Sequence, residues 1–172
     1  MTVDFNIPGI GNISLNGAVP WRRDPTTEGP AGIGIEFTDM SLQLGDAIDR
    51  LVSTFHGVQV LVLSGDRQDR TSLARSIKSI ISTAEVIQAA DAGVATTLMS
   101  SEIDLAVVDV DFDVEGGLAA LRAARAITPP VPTIALTMNN QLRDHAKNAG
   151  ADEITTNPPP FAELQVAIVR AL

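Results

Sequence analysis

The sequence has no cysteine and no tyrosine, and only two histidines and two lysines occur among its 172 residues. The absence of cysteine excludes disulfides, thiolate metal sites and cysteine nucleophiles, and it fits a reducing compartment. With only His56 and His145 available, a histidine-rich metal site or a histidine-based catalytic triad is not favoured either. The composition therefore predicts that the protein is not an enzyme of any of these kinds.

Positive charge is also scarce, because 12 basic residues stand against 21 acidic ones and leave a net charge of −9. An acidic protein does not attract DNA, RNA or anionic lipid through bulk electrostatics. The apolar runs have only the length of strands, and no basic stretch leads into an apolar segment at the start. We therefore expect a cytoplasmic protein with no nucleic-acid partner and no membrane insertion.

Composition changes near residue 57. The first 57 residues contain eight of the 13 glycines and the single tryptophan, Trp21. The remainder alternates short Val, Ile and Leu runs with Ala-rich segments of helical period, which is typical of βαβ units. The sequence thus predicts two domains, at residues 1–57 and 58–172.

The first domain is predicted to have three short strands followed by one helix. Alternating apolar and polar residues predict the strands, at 3–7, 13–21 and 33–37. Pro8-Gly9 and a loop over 24–32 separate them. The helix is predicted to begin after an N-cap at Ser41, to continue to Phe55 and to end at His56-Gly57. So small a unit has open strand edges, and we expect it to dock on a second copy, on the other domain or on another protein.

The second domain repeats a strand and a helix five times. The predicted strands are 58–63, 85–89, 105–109, 133–137 and 153–155. The predicted helices are 69–80, 93–100, 117–126, 141–149 and one that starts near 161. This alternation predicts an α/β fold, a (βα)5 doubly wound parallel sheet with helices on both faces. In such sheets the functional site lies beyond the carboxyl ends of the strands.

Three segments at these strand ends form a pattern. Asp104 to Val108 lead into Asp109, and Gly117 follows eight residues later. The segment 132–137 ends in Thr137, and Gly150-Ala151-Asp152-Glu153 precedes the last strand. Together they resemble the receiver domain of two-component response regulators, and the resemblance covers residues 58–172. It implies a signalling function with Asp109 as the phosphoacceptor candidate, Thr137 as the switch candidate and Mg²⁺ as the cofactor.

The remaining functional positions depart from the family pattern. The acidic pair of the family falls on Ser64 and Gly65, its lysine falls on Asn157, and its aromatic switch falls on Ile154. Phosphotransfer to a carboxylate needs a metal ion and a cation to offset the charge of the phosphoryl group. We therefore expect a degenerate receiver that has no cofactor. We expect it to act through protein–protein interaction.

The acidic residues near these positions leave an alternative open. Asp66, Asp109 and Asp111 are weak candidates for a rebuilt Mg²⁺ site, in which case Asp109 would accept phosphate as a working response regulator. The same residues also fit an acidic, solvated loop, in which Asp109 only fixes the loop. The Pro158-Pro159-Pro160 run predicts a stiff connection in which the Asn157–Pro158 bond is a candidate for the cis form.

The first domain carries a second resemblance. Val19-Pro20-Trp21, the Pro/Gly loop, the strand 32–37 and the helix after Ser41 resemble the carboxy-terminal part of a PilZ domain. PilZ domains that bind cyclic di-GMP use an Arg-x-x-x-Arg pair, and no two arginines in this chain have that spacing. Asn12 to Gly17 fit the second PilZ motif but lie too close to Trp21. Arg22 and Arg23 are therefore only weak candidates for nucleotide binding, and cyclic di-GMP is not the expected ligand.

With nucleic acid, membrane and cyclic di-GMP not expected, the predicted partners are proteins. One of them is a second copy of the chain, which would give a homodimer. The receiver resemblance implies an interaction face on residues 141–172.

Overall fold

The computed structural model of the chain describes residues 1–7, 11–24, 31–54 and 57–172. The chain divides into two compact units, Met1–His56 and Gly57–Leu172. Three predicted features lie outside the described residues: the turn at Pro8-Gly9, most of the loop over 24–32, and the helix end at Phe55 and His56.

The first unit contains an antiparallel sheet and one helix. Its strands are β1 (Thr2–Ile7), β2 (Gly11–Arg23) and β3 (Gly32–Phe37), in the order β1-β2-β3, and its helix is α1 (Leu42–Thr54). The three predicted strands and the helix are thus confirmed. The second strand is longer than predicted, because β2 continues to Arg23 with an irregular register between Ala18 and Trp21.

Little apolar surface is buried in this unit. Leu15 and Gly17 are its only buried residues among those whose burial is described. Trp21 lies across the sheet from Gly34, where a Cβ would stand only 2.1 Å from the indole nitrogen. The indole remains half exposed all the same, at 54%. The strand alternation is therefore present, but among the residues whose burial is described it buries Leu15 and Gly17 alone.

The second unit repeats a strand and a helix five times. Its strands are β4 (Val58–Leu63), β5 (Ala84–Ala89), β6 (Leu105–Asp109), β7 (Thr133–Leu136) and β8 (Glu153–Thr155). Its helices are α2 (Arg67–Ile80), α3 (Ala92–Leu98), α4 (Val114–Ala126), α5 (Asn140–Ala149) and α6 (Phe161–Ala171). Within the described ranges, no helix of the chain has both the length and the apolar character needed to cross a membrane.

The five strands form one parallel sheet in the order β5-β4-β6-β7-β8. This is the doubly wound order that reverses direction beside the first strand, so the prediction of a (βα)5 α/β fold is confirmed. Because all five strands point the same way, their carboxyl ends meet at one edge. That edge brings together the ends of β4, β6 and β7.

A purely aliphatic core covers both faces of this sheet. Val60 and Val62 point to the face covered by α2 and α6, while Leu61 and Leu63 point to the face of α3, α4 and α5. This alternation is the two-residue period of a strand that is buried on both sides. The two phenylalanines of the unit take no part in the buried core, and Phe112 is 66% exposed.

Polar side chains explain why several helices begin earlier than predicted. Asp66 accepts hydrogen bonds from the amides of Gln68 and Asp69, so α2 begins at Arg67 instead of residue 69. Asp113 accepts one from the amide of Gly116, and α4 therefore begins at Val114 instead of residue 117. An aspartate at the N-cap satisfies amides that have no partner inside the helix. Asp91 and Asn139 cap α3 and α5 in the same way.

Adjacent residues on α6 provide a matched test of the core. Ile168 is 2% exposed and Val169 is 70% exposed. Truncating a buried isoleucine to alanine removes apolar contacts and leaves a cavity, so I168A should lower the free energy of unfolding by about 2–5 kcal/mol. V169A should change it by less than about 0.5 kcal/mol. Urea unfolding followed by circular dichroism measures both, and equal effects would contradict the packing of α6 described above.

Candidate functional site

The candidate site lies at the carboxyl edge of the parallel sheet. Ser64 follows β4, Asp109 ends β6 and Thr137 follows β7, while Asn157 lies two residues beyond β8. Ser64, Asp109 and Thr137 are all at least 94% buried, with exposures of 1%, 6% and 1%. Because these positions end neighbouring strands, the fold brings together residues that are far apart in the sequence.

The carboxylate of Asp109 is the centre of the site, and neutral groups surround it. Its Oδ2 accepts a hydrogen bond from Ser64 Oγ at 3.0 Å. Its Oδ1 accepts one from Asn157 Nδ2 at 2.8 Å and two from the amides of Asp111 at 3.0 Å and Phe112 at 3.4 Å. An ionised carboxylate has roughly four acceptor positions, so these donors match its capacity. Within the described part of the chain, no cationic side chain pairs with Asp109.

Two of the candidate positions thus contact the carboxylate directly, because Ser64 and Asn157 both donate to Asp109. The Asn157–Pro158 bond is cis, as the Pro-rich run suggested, and Thr128–Pro129 is a second cis bond. Asp109 also accepts from the amides of Asp111 and Phe112 in the loop after β6.

A phenyl ring takes the place of a side chain at position 65. A Cβ built on Gly65 would stand 2.1 Å from Cε1 of Phe112 and 2.2 Å from its Cδ1. The ring therefore covers Gly65 at the point where an acidic residue would project. Phe112 could not be singled out from the sequence, because its position three residues after Asp109 matches no predicted role.

Asp111 and Thr137 form a second contact between strand ends. Thr137 Oγ1 donates to Asp111 Oδ1 at 2.5 Å, and the amide of Met138 donates to Asp111 Oδ2 at 2.8 Å. The amide of Asn139 in turn donates to Thr137 Oγ1 at 3.0 Å. Thr137 is therefore a buried, hydrogen-bonded residue at the end of β7.

The three weak metal candidates do not converge. Asp66 caps α2, Asp111 is bonded to Thr137 and Met138, and Asp109 is surrounded by its own donors. Over the ranges that the structure describes, no group of three or more Asp, Glu, His or Cys side chains is placed to hold a metal ion.

The residues present do not fit the Mg²⁺ ion that the receiver resemblance implies. Mg²⁺ requires oxygen ligands and carries two positive charges that carboxylates must balance. Here Asn157 directs an N–H donor at Asp109, Ser64 offers a neutral hydroxyl, and Phe112 covers Gly65. Among the described residues, every buried side-chain nitrogen or oxygen already has a hydrogen-bond partner. None of them is left unsatisfied in a way that a bound ion would explain.

An arginine with no predicted role contacts the backbone just after β4. Arg70, on the first turns of α2, donates from Nη1 to the carbonyls of Ser64 at 2.6 Å and Gly65 at 2.9 Å. Its charge is thus directed at backbone oxygens at the edge of the site. An arginine in the first turns of a helix is too common to predict this contact.

The weak nucleotide candidates lie in the other unit. Arg22 pairs with Ile33 and Arg23 with Gly32 at the end of β2, and both side chains are exposed. The Asn12 to Gly17 motif lies wholly within β2, as expected of a strand and not of a binding loop.

Comparison with known proteins gives matches among solved structures alone. No protein-family model matches the chain, and no curated protein sequence matches it either. The receiver domain of the sensor histidine kinase PA1611 from Pseudomonas aeruginosa PAO1, solved with a magnesium ion in its active site cleft, is 27% identical. The match has a TM-score of 0.59 and covers 67% of this chain and 97% of that one.

Two further structures have the same fold. The chemotaxis protein CheY4 of Vibrio cholerae is 20% identical, with a TM-score of 0.57 and coverage of 67% of this chain and 99% of that one. The receiver domain of an HD domain-containing protein from Pseudomonas fluorescens Pf-5 is 21% identical, with a TM-score of 0.55 and coverage of 67% and 94%. The neighbours of this chain are response-regulator receiver domains, and its unit Gly57–Leu172 has their CheY-like fold.

Proposed function

We propose that the chain is a signalling protein whose receiver unit is degenerate and acts through protein–protein interaction without phosphotransfer to Asp109. One observation carries the proposal. Asp109 is buried among neutral donors from Ser64, Asn157 and two backbone amides, in the place where phosphotransfer requires a metal ion and a cation.

Asp109 and an arriving phosphoryl group carry like charges, and their repulsion has a definite size. Two like unit charges about 4 Å apart repel by roughly 4 kcal/mol when the effective dielectric constant is about 20. An energy of that size, added to a reaction barrier, slows the step by about a thousandfold. Asn157 and Ser64 offer only dipoles against this repulsion. Phosphotransfer to Asp109 would therefore be too slow to serve as a signal.

The shape of the site supports the same conclusion. The Phe112 ring occupies the position that a side chain at residue 65 would take, and a phenyl ring cannot ligate a metal ion. Asp111 is already bonded to Thr137 and Met138, and Asp66 is bonded to the amides that begin α2. A rebuilt Mg²⁺ site would have to break these contacts before it gained a ligand.

A protein is the partner that the surface of the second unit fits best. The exposed face of α6 carries apolar side chains, with Val166 49% and Val169 70% exposed. Beside them lies a groove of about 550 Å³ whose lining includes Arg143, Thr156 and Arg170. Apolar residues flanked by charge are typical of protein interfaces. This face belongs to residues 141–172, the interaction face that the receiver resemblance implies.

The alternative is a phosphoacceptor receiver that uses Asp109 and Mg²⁺. It is favoured by the position of Asp109 at the end of β6 and by the magnesium ion in the PA1611 receiver domain. A cyclic di-GMP-binding PilZ-type module is the remaining candidate. Its support is limited to the resemblance of the first unit and to the exposed Arg22 and Arg23.

The first experiment asks whether Asp109 accepts phosphate. The full chain is incubated with acetyl phosphate and millimolar Mg²⁺, and its intact mass is measured with D109N as the control. Because no cation offsets the arriving charge, we expect the same mass for the two proteins after correction for the substitution. A phosphoryl group on the wild-type chain that D109N lacks would contradict the proposal and establish the alternative.

The second experiment restores the missing charges. The variant S64D/G65D/F112A/N157K places an acidic pair and a lysine at the family positions, and F112A clears the space above residue 65. We expect Mg²⁺-dependent labelling of Asp109 by acetyl phosphate at least about a hundredfold faster than in the wild-type chain.

The matched control adds D109N to the same four substitutions and should remain unlabelled. Labelling of the wild-type chain at the rate of the restored variant would show that the lost charges do not limit the reaction. That result would remove the physical basis of the proposal.

A further inference from the structure

The carboxylate of Asp111 holds the junction between β7 and α5 through hydrogen bonds. Thr137, 1% exposed, directs its hydroxyl at Oδ1 of Asp111, and the next amide, that of Met138, directs its hydrogen at Oδ2. Two donors from adjacent residues thus converge on the two oxygens of one carboxylate. The amide of Asn139 completes the set by donating to Thr137 Oγ1.

The chemistry of this junction is that of a small anion site. Hydroxyl and backbone N–H donors close to the start of a helix form the arrangement with which proteins hold phosphate and carboxylate groups. Hydrogen bonds to an ionised acceptor are short, and the 2.5 Å distance between Thr137 Oγ1 and Asp111 Oδ1 is of that kind. The ten-residue helix α5 begins three residues after Thr137, and its amino end favours negative charge.

Asp109 positions the carboxylate that fills this site. The amide of Asp111 donates to Asp109 Oδ1 at 3.0 Å, and Ser64 and Asn157 hold the same Asp109 carboxylate from two other strand ends. The orientation of the loop after β6 therefore follows from Asp109, and the orientation of the junction after β7 follows from Asp111. Asp109 acts here as a positioning residue.

We propose that Asp111 is a built-in anion that keeps the junction between β7 and α5 in its anion-bound arrangement, so that this junction needs no phosphoryl group. The inference rests on the proposed function, because it states how a receiver unit without phosphotransfer holds the end of β7 in place. The surface of α5 is then presented to a partner in one constant form.

Amide hydrogen exchange in the full chain, measured by NMR, tests this inference. The amide of Met138 is the probe, and D111A and D111N are the variants. D111N keeps the size of the side chain but removes its charge. We expect Met138 to exchange about tenfold faster or more in both variants, since bonds to charged acceptors are the strong ones.

The matched control is E115A, which removes an exposed carboxylate from the first turn of α4. It should leave the exchange of Met138 within about twofold of the wild-type rate. The amide of Val107, in the buried strand β6, reports whether each variant is folded. If D111A loses protection at Val107, the shape-conserving D111N carries the test.

Two results would overturn the inference. Wild-type exchange at Met138 in D111N would show that any acceptor suffices and that the negative charge has no role. Equal acceleration in E115A and D111A would show a general effect of lost charge.

The proposed function is judged separately, by labelling of Asp109 with acetyl phosphate. Labelled Asp109 together with Asp111-dependent protection of Met138 would overturn the proposed function and leave Asp111 in this role. If Asp109 stays unlabelled and the protection of Met138 does not depend on Asp111, the proposed function stands and the role of Asp111 is overturned.

Discussion

The buried carboxylate of Asp109 is the interaction on which the candidate site depends. A buried carboxylate without donors costs several kcal/mol, so the surrounding strand ends have to supply them. Ser64 donates from the end of β4, Asn157 from the segment after β8, and two amides from the loop after β6. The same contacts that satisfy the charge also tie three strand ends together. Among the described residues, the donors to Asp109 are neutral, and no cationic side chain pairs with its carboxylate.

Other carboxylates at this edge have partners as well, and among the described residues no three acidic side chains are placed together to hold a metal ion. Asp66, Asp91 and Asp113 satisfy the free amides at the starts of α2, α3 and α4. Asp111 is bonded to the junction after β7. Each negative charge is thus met by N–H or O–H dipoles within its own neighbourhood, and helix starts favour such charges. Acidic residues that are close in sequence separate because each faces a different helix start or strand end.

Much of the fold of the second unit could be predicted because the pattern of β4 to β8 is unambiguous. Short apolar runs such as 105–109 alternate with helical segments, and a strand buried on both faces needs such a run. The starts of α2 and α4 were less predictable, because aspartates next to these helices fit a loop as well as an N-cap. In the first unit, the predicted strands are present, but β2 continues past Trp21 because Arg22 and Arg23 still pair with β3.

The sequence by itself determined the parallel (βα)5 architecture, the position of Asp109 at a strand end and the uncharged residues at 64, 65 and 157. These follow from periodicity and residue type, which are local properties of a chain. Only the tertiary structure decided which side chains surround Asp109. Ser64 and Asn157 meet Asp109, Phe112 covers Gly65 and Asp111 meets Thr137 only once the strands lie side by side. Hydrogen bonds act over about 3 Å, so contacts between residues separated by 26 to 48 positions depend on the sheet and leave no trace in local pattern.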